Sequence, residues 1–245
     1  MSEIVFEVCT NSLQSAIVAQ MGGADRIELC TQLEAGGITP SAASIKLAVR
    51  ELEIPVFVLI RPRGGDFVYD EIDFQLMKED ILIAKDMGAA GVVAGLLMPN
   101  GDIDLDRTTE LVSLSSPMQF TFHRAFDRAR NPYTALEDVI KTGANRILTS
   151  GQAISAREGK HFLKALADRA SSRITLLAGA GINPDNVREI IDFTGVTEVH
   201  ASCSMNMPGH MEYNSQLDNY HKLTVTSVEK VKQIAAIIKN YNKKS

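Results

Sequence analysis

The chain has 245 residues, 45% hydrophobic and 22% charged, with a net charge of −5 and a pI near 5.6. That balance suits a globular α/β unit with a large core and supplies no basic face for nucleic acid or an anionic membrane. Aromatic residues are 6% and Trp is absent, so platforms for stacking bases are also missing.

In chain order, short β-rich runs alternate with amphipathic stretches. The runs at 4–8, 26–30, 56–61, 91–95, 119–123, 146–150, 174–178 and 198–202 read as strands. Between them, 12–21, 73–87, 132–141, 157–169 and 184–192 carry helical patterns, and 226–240 closes the chain. SAASIKLAVRELEIP, after Gly36-Gly37-Ile38-Thr39-Pro40, is a helix behind a longer second loop. Strand–helix alternation predicts a parallel sheet covered by helices, and eight such units predict a closed (β/α)8 TIM-type barrel. No GxGxxG follows the first strand, as a dinucleotide fold would want. No linker or second domain interrupts residues 1–245, which are expected to form one barrel domain.

Four segments repeat in register: GADRIELC (23–30), GAAGVVAG (88–95), GANRILTS (143–150) and GVTEVHAS (195–202). Each opens with a glycine suited to a helix end and runs into an even-numbered strand. Strand side chains alternate faces, and a barrel interior is filled in layers drawn from alternate strands. Parity therefore predicts a lower inward layer of Arg26, Gly91, Arg146 and Glu198, and a middle layer of Glu28, Val93, Leu148 and His200. Cys30, Gly95, Ser150 and Ser202 follow at the mouth. The odd strands add Glu7, Cys9, Arg61, Thr121, His123, Leu177 and Gly179.

Chemistry is expected at the carboxyl ends of the strands. Cys9 and Cys30 end adjacent strands with equal parity, so their thiols can approach, and a thiolate pair suits Cu(I). Each serves equally as a small buried filler. Glu7 and Glu28 sit two residues before those cysteines, while Arg61 and His123 come from the third and fifth strands. Carboxylate, guanidinium and imidazole at one mouth can bind an anion and move protons, or form a structural ion network. Gly179, Gly181 and Ser202 follow strands seven and eight, where barrels often hold phosphate. CSMNMPGHMEY gathers Cys203, Met205, Met207, His210 and Met211 as adaptable packing or soft ligands, and His161 and His221 are expected at the surface. Three cysteines without a CxxC pair argue against a disulfide framework or a closed zinc site. The start MSEIVFEV has no signal-peptide pattern and no apolar run reaches membrane length, so a cytoplasmic protein is expected.

FEVCTNSLQSAIVAQMGGADRIELC, GGITPS, LIRPRGGDFVY, FTFHRAFD, RILTSG and EVHAS resemble the CutC family in order and spacing, from about Glu3 to Ser204. The resemblance implies a TIM-type barrel, a cytoplasmic homodimer or higher homo-oligomer, and copper homeostasis with Cu(I) bound through Cys9 and Cys30. AGAGI departs from the family's run of three glycines. Two functions follow as expectations: a Cu(I)-binding homeostasis protein, or an enzyme for a small phosphorylated or carboxylated metabolite. In the second, Glu7, Glu28 or His123 moves protons, and Arg61 with the 179–181 turn holds the anion.

Overall fold

A computed structural model describes residues 3–210 and 222–243. Eight parallel strands close in sequence order into one barrel. They are β1 Val5–Thr10, β2 Arg26–Leu29, β3 Val56–Leu59, β4 Gly91–Ala94, β5 Gln119–Phe122, β6 Arg146–Thr149, β7 Thr175–Ala178 and β8 Glu198–Ala201. The helices between them are α1 Leu13–Gly22, α2 Ala42–Glu51, α3 Glu71–Asp86, α4 Leu105–Ser115, α5 Pro132–Thr142, α6 Lys160–Ala170 and α7 Val187–Thr194, with α8 Val228–Asn242 last. Among the described residues, no helix is long and apolar enough to cross a membrane.

Local chemistry sets these boundaries. Ser12, Asp70, Asn131 and Ser227 cap helix starts by accepting backbone N–H bonds. The repeated glycines end the preceding helices: Gly23, Gly88, Gly143 and Gly195 all have φ between 72° and 94°, a backbone state costly for residues with a Cβ. The outward faces of the strands, including Val8, Ile27, Leu29, Val92, Phe120 and Ile147, pack against helix residues in one continuous core. Each such fully buried side chain contributes roughly 1.5–3 kcal/mol. The inward face is separate: Phe57, Leu59 and Val93 cluster there with Cys9 and Cys30.

The lower interior is a closed ion cluster, as parity predicts. Arg26 Nε donates to Glu7 at 2.5 Å, and Arg26 Nη2 pairs with Glu198. Arg146 Nε lies 3.2 Å from Glu198, and its other nitrogens bind Gln119 and Thr121. The Phe57 ring packs against both guanidinium groups, its centroid 4.8 and 5.0 Å from their carbons. Arg26, Arg146, Glu7 and Glu198 are all buried, and pairing is what makes that burial tolerable.

Two features differ from the sequence expectations. Strand β1 is staggered against β2, so Cys9 is level with Glu28 rather than with Cys30. The methionine-containing stretch after β8 is an antiparallel hairpin, β9 Ser204–Pro208 with β10 Lys222–Thr226. Alternation of polar and apolar residues along it supplies the two faces of that ribbon. Met211 and His221 lie outside the described residues. His161 is exposed and packs edge-on to Phe193.

Candidate active site at the barrel mouth

A cavity of about 820 Å³ opens at the carboxyl ends of the strands, within the usual range of small-molecule sites. Its floor is the middle layer. Glu28, Cys9, His200 and Leu148 reach it, the first two from paired positions on β2 and β1.

On this floor Glu7 and His200 form a dyad. His200 Nδ1 lies 2.7 Å from Glu7 Oε1, which leaves Nε2 as the ring nitrogen open to a ligand. Burial opposes ionisation of Glu7, but Arg26 and His200 outweigh it and hold its pKa at about 2. Burial also opposes a charge on His200, yet the Glu7 hydrogen bond and the charges of Glu28 and Glu7 raise its pKa above the usual value. The carboxylate therefore orients the imidazole and favours its cation.

Glu28 stands beside the dyad in the opposite condition. Burial raises its pKa; the positive His200 works against that shift, and the negative Glu7 adds to it. Its Oε1 accepts from Cys9 Sγ at 3.4 Å, while buried Oε2 has no partner. Cys9 and Cys30 approach to 3.8 Å. The Cys30 contact, burial and the Glu28 charge together raise the Cys9 pKa, holding it as a thiol. Cys30 sits behind the wall, against Gly37 and clustered with the Leu59 side chain, and does not line the cavity.

The β3–β5 side carries Arg61, Phe67 and His123. Arg61 is buried and donates to backbone carbonyls, Nη1 to Ala35 and Gly37 and Nη2 to Gly65, and it also interacts with the buried Tyr69 hydroxyl. Its Nε has no partner. His123 Nδ1 accepts the Ala125 N–H at 3.2 Å, and its buried Nε2 is unpartnered. Burial first, then the charge of Arg61, depresses the His123 pKa to about 3. A neutral ring whose Nδ1 accepts must carry its hydrogen on Nε2. Phe67 packs against both, 4.9 Å from the His123 ring and 5.0 Å from the Arg61 carbon.

On the β7–β8 side, Ala180, Gly181 and Ser202 line the cavity, and Gly179 lies just below them. The Gly179 N–H is used by Thr149, and a Cβ there would strike Leu148 and approach His200. Ala180 and Gly181 both adopt left-handed conformations, with φ of 75° and 70°. Non-glycine residues with positive φ also occur at Gln32, Gln152 and Cys203 on loops of this face, and at Ser171 and Ser172 in the loop before β7 at the opposite end. Ser150, expected at the mouth, instead bonds Asp127 and the Ala153 carbonyl.

The structure thus brings Cys9, Glu28, Arg61, His123, Gly181 and Ser202 to one cavity, with Glu7 directly beneath it. Sequence reasoning placed His200 inward but gave it no role; its parity with Glu28 was the available signal. It missed Phe67 and the exposed Arg128 on the rim, which no periodic pattern marks. It also missed Asp127, whose carboxylate bonds Thr149, Ser150 and Gln152 and fixes the loop after β6.

These donors also fit a soft metal. One ligand atom each from Cys9, Glu28 and His200 lies within 4.8 Å of the others. Thiolate and imidazole suit Cu(I), and a carboxylate behind the imidazole is the usual outer support of a metal-binding histidine.

Fold and site define a class: a (β/α)8 barrel with a ligand-sized cavity at the face where that architecture places its chemistry. The CutC family profile matches residues 4–205. A Bacteroides thetaiotaomicron protein named as a family protein CutC is 44% identical, covering 97% of this chain and 99% of its own. The Homo sapiens copper homeostasis protein cutC homolog is 42% identical, covering 96% and 89%. The crystal structure of CutC from Streptococcus agalactiae superposes with a TM-score of 0.77 at 33% identity, covering 81% and 98%. The chain belongs to the CutC family.

Proposed function

We propose that this barrel is an enzyme acting on a small phosphorylated or carboxylated metabolite by acid–base chemistry on the cavity floor. One observation carries the reading: a buried carboxylate with an unpaired oxygen, Glu28, adjoins a carboxylate-backed imidazole, His200, in one ligand-sized cavity. Unpaired buried polar atoms cost about 1–3 kcal/mol each, so a fold keeps them where a ligand satisfies them. Burial pushes Glu28 toward its neutral acid, while the Glu7 hydrogen bond and the nearby carboxylates push His200 toward its cation, so the two groups lie side by side as partners for proton exchange. The rim residue Arg128 and the turn at 180–181 are suited to the anionic group of the ligand.

The test starts with binding of inorganic phosphate and a panel of small phosphorylated and carboxylated metabolites, read by thermal shift. Stabilising compounds are then incubated in D2O with wild type and with Glu28→Gln. Wild type is expected to wash deuterium into a bound compound, and the variant to bind it with exchange slowed at least ~100-fold. A cavity that binds none of these at millimolar concentration removes the reading.

A second reading rests on the 3.8 Å approach of Cys9 to Cys30 and on the Cys9–Glu28–His200 cluster. Here Cu(I) is the cargo, bound after the Cys9 proton is displaced, in keeping with the name of the human relative. Competition with a Cu(I) chelator should show one tight site, lost in the Cys9→Ser, Cys30→Ser double variant. Stoichiometric binding retained by that variant sinks this assignment.

A further inference from the structure

The cavity wall divides by strand. In a ring closed in sequence order, β3 stands across the axis from β7. The loops after β2, β3 and β4 bring Leu33, Phe67, Val68, Met98 and Pro99 to one side. Leu33, Phe67 and Val68 are half-buried and Met98 is 44% exposed, so this side keeps apolar surface that the chain does not cover. The β5–β8 side carries Arg128, Ser202 and the 180–181 turn, and its apolar members Leu148 and Ile182 are buried. Arg128 forms no ion pair among the described residues, whereas its neighbours Arg124 and Arg130 hold Asp127 and Asp102. The apolar side is firmly built. Arg61 ties the loops after β2 and β3 through the carbonyls of Ala35, Gly37 and Gly65. The Leu97 N–H donates to the Phe67 carbonyl at 2.9 Å, joining the loops after β4 and β3. The Phe67 ring is fixed between these loops by its packing on Arg61 and His123. Open apolar surface inside a preformed cavity favours a ligand that covers it. A bare phosphate or two-carbon acid would leave most of the 820 Å³ empty.

We propose that the substrate is amphipathic, a planar ring bearing a short acidic or phosphate-ester arm. The ring lies against Phe67 and Met98, and the arm ends toward Arg128 and the 180–181 turn. This deepens the acid–base reading above and rests on it. A molecule that spans the two sides crosses the floor, so the atoms joining ring and anion pass over Glu28 and His200. A flat ring suits this wall because its faces and edges pack well on another aromatic ring and on a thioether. The unpaired guanidinium of Arg128 complements the charge at the other end. Specificity is thus shared: the β2–β4 loops select the ring, and the β5–β8 side sets which way the ligand points.

Two matched pairs of probes test the division: phenyl phosphate against methyl phosphate, and phenylacetate against acetate, each titrated into the full chain by calorimetry. In at least one pair the ring-bearing anion should bind on the order of 10- to 100-fold more tightly, the gain from burying one ring. The pair that responds tells whether the arm ends in phosphate or carboxylate. In wild-type protein labelled with ¹³C-methyl methionine, the ring-bearing anion is expected to shift the Met98 methyl signal and its small partner to leave it in place. Met98→Gln should remove most of the preference while changing the small anion by less than about 3-fold. Affinities equal to within about 3-fold in both pairs overturn the apolar subsite and leave the anion-enzyme reading standing. A preference for the ring with the wild-type Met98 signal unmoved also overturns it, whatever the folding of the variant. Benzyl alcohol bound as tightly as the ring-bearing anions overturns the acidic arm. Failure of all four anions to bind removes both proposals.

Discussion

Two layers of the barrel interior use the same residue types and treat them in opposite ways. In the lower layer Arg26, Arg146, Glu7 and Glu198 satisfy one another around Phe57. Above it, Glu28, Arg61 and His123 each keep one buried polar atom unpaired. Burial alone does not separate the layers, since all seven side chains are largely hidden. Pairing does. The lower layer is satisfied within the fold, whereas the upper layer keeps polar atoms that the chain itself leaves without partners.

The largest effect that tests this contrast is in the lower layer. Arg26→Met leaves Glu7 and Glu198 without their shared partner and should cost about 3–5 kcal/mol in urea unfolding. A loss under about 1 kcal/mol would show that the lower layer is not held by pairing.

The two cavity histidines sharpen the comparison through pH. His123 is depressed to about 3, so its contribution is complete above its unfolded value near 6.5 and is lost as pH falls toward 3. Wild type should lose ~1.4 kcal/mol per pH unit from this residue, about 2 kcal/mol between pH 6.5 and 5. His123→Asn should flatten that slope in the same titration. His200 is raised, so its contribution is complete below about 6.5 and is lost as pH rises through the raised value. His200→Gln should accordingly destabilise more at pH 6 than at pH 9. Equal losses at both would break the assignment of its charge to Glu7.

Glu28→Gln should change stability by less than about 1 kcal/mol, because the residue is a strained carboxylate with one free oxygen. A loss as large as that of Arg26→Met would make Glu28 a member of the structural network. The smallest effect lies in the turn: Ala180 is left-handed at φ 75°, so Ala180→Gly should raise stability by about 0.5–1 kcal/mol in thermal unfolding.

Parity within one strand was readable from the sequence, and with it the inward direction of Arg26, Glu28 and His200, because a strand's two-residue period is local. The stagger between strands was not, since register depends on closing the whole ring. It shifts Cys9 to the level of Glu28 and leaves Cys30 behind the wall. The ribbon pairing 204–208 with 222–226 escaped notice because its methionines read as loop packing rather than as one face of a ribbon. The unpaired nitrogens of Arg61 and His123 depend on loops folding back over strand ends, which no residue pattern encodes.

The aromatic ring packed against two guanidinium groups has a consequence for traffic. A barrel interior filled by packed side chains is a cup rather than a tube, and here Phe57 and the two arginines supply that filling below the cavity. Whatever is admitted must depart by the same rim, so arrival and release compete for one doorway. A tight occupant of that doorway would keep any other ligand from the floor beneath.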